Sequence, residues 1–274
     1  MNSSVKQSLA RAAVRTGVAL TRILPKKLWL RIREESALTG RLDYDNAPIY
    51  LAVDSWIESD VRLASCGKEP ETIEWIETWF RPGDVFYDIG ANVGAYSLVA
   101  SGWLKGNVNI YAFEPGFMNF VQLCKNIQLN GADKVITPLQ IGLSDQAGIM
   151  PFHYQNLFTG GALHALGESV DQRGRQFQPV FTLPTLTFAL DDFIERFKLL
   201  YPSHIKIDVD GTELHILRGA QALLSRPELR TILIEIDKEQ QNSDKVIEMI
   251  ENAGFSLVSQ RNENRVYCRN GLKP

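Results

Sequence analysis

Ten residues, Val85-Phe86-Tyr87-Asp88-Ile89-Gly90-Ala91-Asn92-Val93-Gly94, constrain this chain more than any other stretch. The apolar run ending at Ile89 reads as a buried strand, and the glycines that follow supply a sharp turn into an apolar helical pattern. Tyr111-Ala112-Phe113-Glu114-Pro115 then reads as a second strand ending in a carboxylate. Strand, glycine-cornered turn, helix and acid-tipped strand form the nucleoside-binding unit of an open α/β sheet. A dinucleotide fingerprint needs its second glycine bare so that backbone can approach a pyrophosphate. Here Asn92 occupies that position in the register Gly90, Asn92, Ala95, and Asp88 adds negative charge beside the turn. Such a turn repels a diphosphate and suits a ligand with an ammonium group and no phosphate, as S-adenosylmethionine is. Glu114 lies where an acid can accept from both ribose hydroxyls, a contact that either cofactor class requires.

Strands are expected at 85–89, 109–113, 135–140, 204–208, 230–236, 255–260 and 264–269, and helices at 71–80, 94–102, 117–130, 190–198, 213–224 and 244–252. Two more strands, 49–53 and 61–64, are expected ahead of them. Only Arg261, Asn262 and Glu263 separate the last two strands, too few for a crossover, so those two must pair antiparallel. Residues 151–184, with Gly160-Gly161, Gly167, Gly174, Pro179 and Pro184, show no sustained periodicity and read as a long loop able to cover the carboxyl edge of the sheet as a substrate lid.

Several motifs in order, Asp88-Ile-Gly-Ala-Asn-Val-Gly94, Phe113-Glu114-Pro115, Leu143-Ser144-Asp145, Ile205-Lys-Ile-Asp-Val-Asp-Gly-Thr-Glu213 and Leu233-Ile-Glu-Ile236, resemble the FkbM family of methyltransferases over about residues 50 to 270. The resemblance implies an α/β fold of class I methyltransferase (Rossmann-like) type: a doubly wound, mostly parallel seven-stranded sheet with a C-terminal antiparallel hairpin. It also implies S-adenosylmethionine as cofactor and a hydroxyl of a small molecule, sugar or polyketide as acceptor. Where the family usually has glutamate before the glycine of the fourth-strand motif, this chain has Asp210, one methylene shorter.

The 274 residues, 45% hydrophobic and 22% charged, suit one catalytic domain with an extension. We expect a helical extension over 1–40, a hairpin and helix packed on the core over 41–82, and the cofactor-binding domain over 83–274. Cys66, Cys124 and Cys268 are odd in number and form no C-x-x-C pair, which argues against a disulfide framework or zinc site and for a cytoplasmic location. Residues 1–33 hold eight Lys or Arg and no Asp or Glu, although the whole chain carries −3. The acidic remainder gives no reason to expect nucleic acid as a partner. On a helical wheel the basic segment sets Val5, Leu9, Ala13, Leu20 and Leu24 against Arg11, Arg15 and Arg22, a pattern suited to packing on the domain, to a second copy in a homo-oligomer, or to peripheral contact with the inner face of an anionic membrane. No apolar run reaches the roughly 18 residues a bilayer span needs, and arginines interrupt any signal-peptide core.

Ligands of such sheets sit beyond the carboxyl ends of the strands. The cofactor set is therefore Asp88, Gly90, Asn92, Gly94, Glu114, Ser144 and Asp145, the last placed by the family resemblance to accept from the adenine amino group. Strand alternation puts Lys206, Asp208 and Asp210 on one face, a costly arrangement unless the charges are paired. Lys206 is expected to neutralise a carboxylate such as Asp88, and Asp208 to orient or deprotonate a substrate hydroxyl. His164 is a second candidate base. Asp210, Glu213 and Glu235 complete the surroundings of the substrate. These acids could supply oxygen ligands to magnesium, but their spacing does not call for it and a metal-free site is expected. Two other readings fit the same turn: a nicotinamide-dependent oxidoreductase, and a non-catalytic scaffold that retains the cofactor fold.

Overall fold

In the computed structural model, residues 24–171, 173–237 and 242–273 are described. The chain divides into two units, Met1–Leu38 and Thr39–Pro274. In the first, helix α1 (Lys26–Glu35) follows Pro25, and the expected basic helix over residues 1–23 lies outside the described residues.

A two-stranded sheet of β1 (Leu38–Arg41) and β2 (Tyr50–Val53) comes next in the chain. The expected strand at 61–64 is instead helical. Ser55 caps α2 (Trp56–Asp60) by accepting from the Glu58 N–H, and the Glu58 carboxylate reaches back to the Ser55 N–H at 2.9 Å. This capping box commits the segment to a helix, and Arg62–Ala64 continues it as a 3-10 turn. Helices α3 (Ser65–Lys68) and α4 (Pro70–Trp79) lead to β3 (Val85–Ile89), α5 (Ala95–Trp103), β4 (Asn109–Phe113), α6 (Phe117–Leu129) and β5 (Ile136–Leu139).

An inserted four-stranded sheet follows, from β6 (Gly142–Ser144), β7 (Gly148–Tyr154), β8 (Ala165–Leu166) and β9 (Phe181–Ala189), in the order β6-β9-β7-β8. The stretch expected as a loop over 151–184 is therefore largely the turn and flanks of an antiparallel pair. Pro151 faces Pro184 in the β7–β9 register, and β6 pairs β9 only over Thr187–Ala189. Pro184 thus lies on an edge where no N–H is needed, and two residues that read as breakers are tolerated.

The chain then returns through α7 (Leu190–Phe197), β10 (His204–Ile207), α8 (Glu213–Arg218), α9 (Gln221–Leu224), β11 (Thr231–Glu235), α10 (Ser243–Asn252), β12 (Phe255–Arg261) and β13 (Asn264–Arg269). The helix expected over 213–224 is interrupted because the chain turns at Gly219, where a Cβ would overlap the Ser144 carbonyl oxygen.

The main sheet has the order β12-β13-β11-β10-β3-β4-β5, with β13 antiparallel to both β11 and β12 and the rest parallel. This is the α/β fold of class I methyltransferases. All five residues of β3 and all four of β10 are buried, as strands covered on both faces must be. Successive strands run outward from β3 through β4 and β5, and the chain then crosses to β10 on the other side. A crevice opens at that reversal, outside the carboxyl ends of β3, β4 and β10.

The opposite end of the sheet is closed by a polar knot. His204, fully buried, contacts Thr231 Oγ1 at 2.7 Å through Nδ1 and Asp84 at 2.9 Å through Nε2. Trp75 Nε1 donates to the same Thr231 hydroxyl, Arg230 pairs with Asp84, and Phe80 stacks on the imidazole. Burial drives the His204 pKa down to about 4, against the pull of Asp84.

Candidate active site

A cavity of about 330 Å³ occupies the crevice. Its apolar wall comes from Ile89, Phe113, Ile141, Leu143, Phe152 and Leu166, and its polar groups include Asn92, Glu114, Asp208 and Glu235.

Gly90 and Gly94 turn the chain out of β3 with φ of 83° and 84°, a region open chiefly to glycine. A Cβ at Gly90 would also overlap the Asp208 carbonyl oxygen, so the β3 and β10 ends can meet only over a glycine. Gly94 packs behind the turn against Leu123 and is not part of the cavity lining. Asn92 holds the left-handed conformation at φ 51°, which its short polar side chain tolerates. Its N–H donates to Glu114 Oε2 at 2.8 Å and its Nδ2 to the Gly161 carbonyl at 2.8 Å.

Glu114 is buried just past the end of β4, and its other oxygen accepts from the Gly116 N–H at 2.7 Å. Burial pushes its carboxyl up to about 7, against those two backbone donors. Asp88 does not line the cavity, contrary to what the turn sequence leads one to expect. It lies one position deeper, accepting from Ser97 Oγ at 2.6 Å and paired in register with Lys206. Burial raises its pKa, opposed by the Lys206 charge and the Ser97 hydroxyl.

Lys206 is 1% exposed, and its ammonium meets the Asp208 carboxylate, with Glu69 Oε2 at 4.0 Å and the Tyr96 ring centroid at 4.8 Å. Burial would strip this charge, but Asp208, Glu69 and Asp88 together hold it above its ordinary pKa. Burial likewise disfavours ionised Asp208, yet Lys206 and a hydrogen bond from Glu235 keep that carboxylate below the usual range. Glu235, desolvated and beside ionised Asp208, is pushed far upward and retains its proton at neutral pH. The pair is thus one carboxylate and one carboxylic acid, the arrangement expected of two acids sharing a site.

The remaining expected site residues are divided between this cavity, an adjoining one and the protein interior. Ser144 and Asp145 line an adjoining cavity, where Asp145 Oδ2 meets His215 Nδ1 at 3.1 Å. That hydrogen bond lowers the Asp145 pKa. Asp210 bridges the two cavities and accepts from the His164 N–H at 3.1 Å. Glu213 is buried at the start of α8, its Oε1 accepting from the Gly211 N–H at 3.2 Å. His164 does line the main cavity, but burial drives its pKa down to about 4. Its Nδ1 accepts the Gln155 N–H at 3.4 Å, which leaves the proton on Nε2 and makes the ring a donor. No group of three or more His, Cys, Asp or Glu side chains among the described residues is arranged to hold a metal ion.

Sequence reasoning missed the residues that close the cavity from outside the strand ends. Arg62 donates to the Gly160 carbonyl through Nε and a terminal nitrogen at 2.9 and 2.7 Å. Asn119 donates to the Gly161 carbonyl at 3.0 Å and accepts the Gly160 N–H at 2.9 Å. Together with Asn92, they pin the strap 158–164 across the opening. The glycine pair is visible in the sequence; partners 40 to 100 residues away are not.

The model of the methyltransferase FkbM domain matches residues 88–257, more than half of the chain. The chain belongs to the FkbM methyltransferase family. It is 25% identical over 180 residues to a hexuronic acid methyltransferase of Haloferax volcanii, covering 66% of this chain and 67% of that protein. It is 28% identical over 202 residues to a 31-O-demethyl-FK506 methyltransferase of Streptomyces tacrolimicus, covering 66% and 76%. A solved FkbM methyltransferase from Methylobacillus flagellatus superimposes with a TM-score of 0.49 at 17% identity, over 71% of this chain and 47% of that one. FkbM methyltransferases are S-adenosylmethionine-dependent enzymes, and the residues of the cavity fit that cofactor. Asn92 Oδ1 is buried and meets no donor among the described residues, so it could accept from an ammonium group. Glu114 supplies a buried carboxylate for a ribose diol, and the wall around Leu143 and Phe152 is apolar enough for a base.

Proposed function

We propose that this chain O-methylates a hydroxyl of a sugar-like or polyketide-like acceptor. One observation carries the reading: Glu114 and the Asp208–Glu235 pair face the same cavity from strand ends on either side of β3. S-adenosylmethionine, when bound, supplies an electrophilic methyl carbon on a sulfonium. Glu114 and Asn92 are the residues to hold its ribose and amino-acid ends. At the other end, Asp208 is ionised and able to accept from an acceptor hydroxyl, while protonated Glu235 donates a hydrogen bond to Asp208 and fixes that carboxylate in place.

Lys206 weakens Asp208 as a base, which the chemistry tolerates. A hydroxyl oxygen that is gaining a methyl group becomes strongly acidic, so a weakly basic carboxylate suffices once the new bond is forming. Most of the remaining demand is alignment, and the pinned strap over the cavity keeps water from the reacting oxygen. His164 Nε2–H is positioned as a hydrogen-bond donor to a substrate oxygen. The name of one relative, a 31-O-demethyl-FK506 methyltransferase, supports oxygen as the acceptor atom, and that of the other, a hexuronic acid methyltransferase, supports a sugar-like acceptor. The test incubates the full chain with methyl-deuterated S-adenosylmethionine and uronic acids, neutral glycosides and hydroxylated macrolides, followed by mass spectrometry. Label on a substrate oxygen is expected; label on nitrogen or carbon alone, or on none of the acceptors, overturns the reading.

A further inference from the structure

Large apolar side chains form an exposed rim on α2 and on the strap that borders the cavity. Trp56 is 62% exposed, Phe158 54% and Leu163 50%. Trp56 and Phe158 each neighbour a partner of the hydrogen bond from Ser55 Oγ to the Thr159 carbonyl at 2.7 Å, which holds their two segments together. Gly160 seats the strap on α2, its α-carbon close to Ile57 and Glu58. Leu163 lines the cavity itself and is held at φ 63°, strained for a branched aliphatic residue. The strap is fastened on its polar side by Ser55, Arg62, Asn92, Asn119 and Asp210, so these apolar groups are displayed by a rigid support. An enzyme whose whole acceptor is a free sugar has no use for such a rim.

The chain independently carries the charge that would bring such a rim to a lipid surface. Residues 1–33 hold eight cationic side chains and no anionic one, and in α1 the exposed Lys26, Lys27 and Arg31 alternate with exposed Leu28, Trp29, Leu30 and Ile32. A segment of that composition binds anionic bilayers through charge and inserts its apolar residues at the headgroup boundary. The remainder of the chain is acidic and would be repelled without it.

We propose that the acceptor is an amphiphile lodged in an anionic membrane surface, a hydroxylated head on an apolar anchor, with Trp56, Phe158 and Leu163 resting on the bilayer so that the head enters toward Asp208. The proposal rests on the methyltransferase reading for the chemistry at Asp208, but its test does not. The full chain is floated with phosphatidylcholine vesicles and with phosphatidylcholine–phosphatidylglycerol vesicles, beside the rim variant Trp56→Ser/Phe158→Ser and the variant Lys26→Glu/Lys27→Glu/Arg31→Glu. Calorimetric titration with S-adenosylmethionine on the same samples checks the fold and the cofactor site.

The full chain is expected to float with the anionic vesicles and much less with the neutral ones. Each variant should lose roughly tenfold or more in partitioning while binding S-adenosylmethionine as the parent does. A parent that ignores anionic vesicles, or a rim variant that partitions like the parent, overturns the proposal. The comparison of the two vesicle types needs no variant, so it stands even if a substitution impairs folding. Failure of the methyltransferase reading appears differently, as flotation without any cofactor binding.

Discussion

Replacing Lys206 with methionine tests the electrostatic core of the site. The side chains are similar in length, so the change removes the ammonium and little else. What remains is a pocket in which Asp88 and Glu69 are buried and Asp208 is partly so, with the cation that all three face deleted. Removing one partner of a buried ion pair costs roughly 3–5 kcal/mol because the other charge is left uncompensated. Protonation of a carboxylate limits the loss, so about 3 kcal/mol at pH 7 is the expected figure. For a domain of this size it corresponds to a fall in Tm of about 6–12 °C. Urea unfolding followed by far-ultraviolet circular dichroism measures it, with thermal melts as a check. Asp208→Asn in the Lys206→Met background should recover part of the loss, because it removes one of the stranded charges. A Lys206→Met chain within about 1 kcal/mol of the parent, or a double variant no better than the single, would refute this account of how the charges are compensated.

The other predictions concern catalysis, the turn and acid stability. Asp208→Asn should lower methyl transfer by about 10²–10⁴ while leaving S-adenosylmethionine affinity within a few-fold, as single-turnover kinetics and calorimetry would show. Gly90→Ala should destabilise the fold by about 2–4 kcal/mol in denaturant titration, since the added Cβ meets the Asp208 carbonyl and φ is 83°. His204 has a folded pKa depressed to about 4, below its unfolded value, so the neutral ring stabilises the fold fully above about pH 6.5. That stability, about 3 kcal/mol, should be lost as the pH falls from 6.5 through 4. Asp84, with its pKa lowered despite burial by His204 and Arg230, adds a loss of the same sign at still lower pH. His204→Gln should flatten the upper part of the profile.

The central strands were legible because strands buried on both faces are written as short, nearly continuous apolar runs, as Val85–Ile89 and Thr231–Glu235 are. The inserted sheet was hidden by the two prolines that face each other across β7 and β9, since proline signals a break unless its missing N–H falls on an open edge. Glu114 and Asp208 could be placed from strand ends alone. Asp88 could not, because strand register sent its side chain to Ser97 and Lys206 instead of the cavity. Asp145 was expected beside the cofactor and lines the adjoining cavity with His215. Arg62, Asn119 and Glu69 join the site from distant segments, and nothing in their local sequence marks them.

The central claim is that the cavity between Glu114 and Asp208 binds S-adenosylmethionine and not a dinucleotide. Equilibrium titration of the full chain and of Glu114→Ala with S-adenosylmethionine and with NAD tests it most directly. The account predicts S-adenosylmethionine affinity of about micromolar order, roughly 10- to 150-fold weaker without the Glu114 carboxylate, and no NAD binding at matched concentrations. Binding of NAD without S-adenosylmethionine, or S-adenosylmethionine affinity indifferent to Glu114, would contradict it.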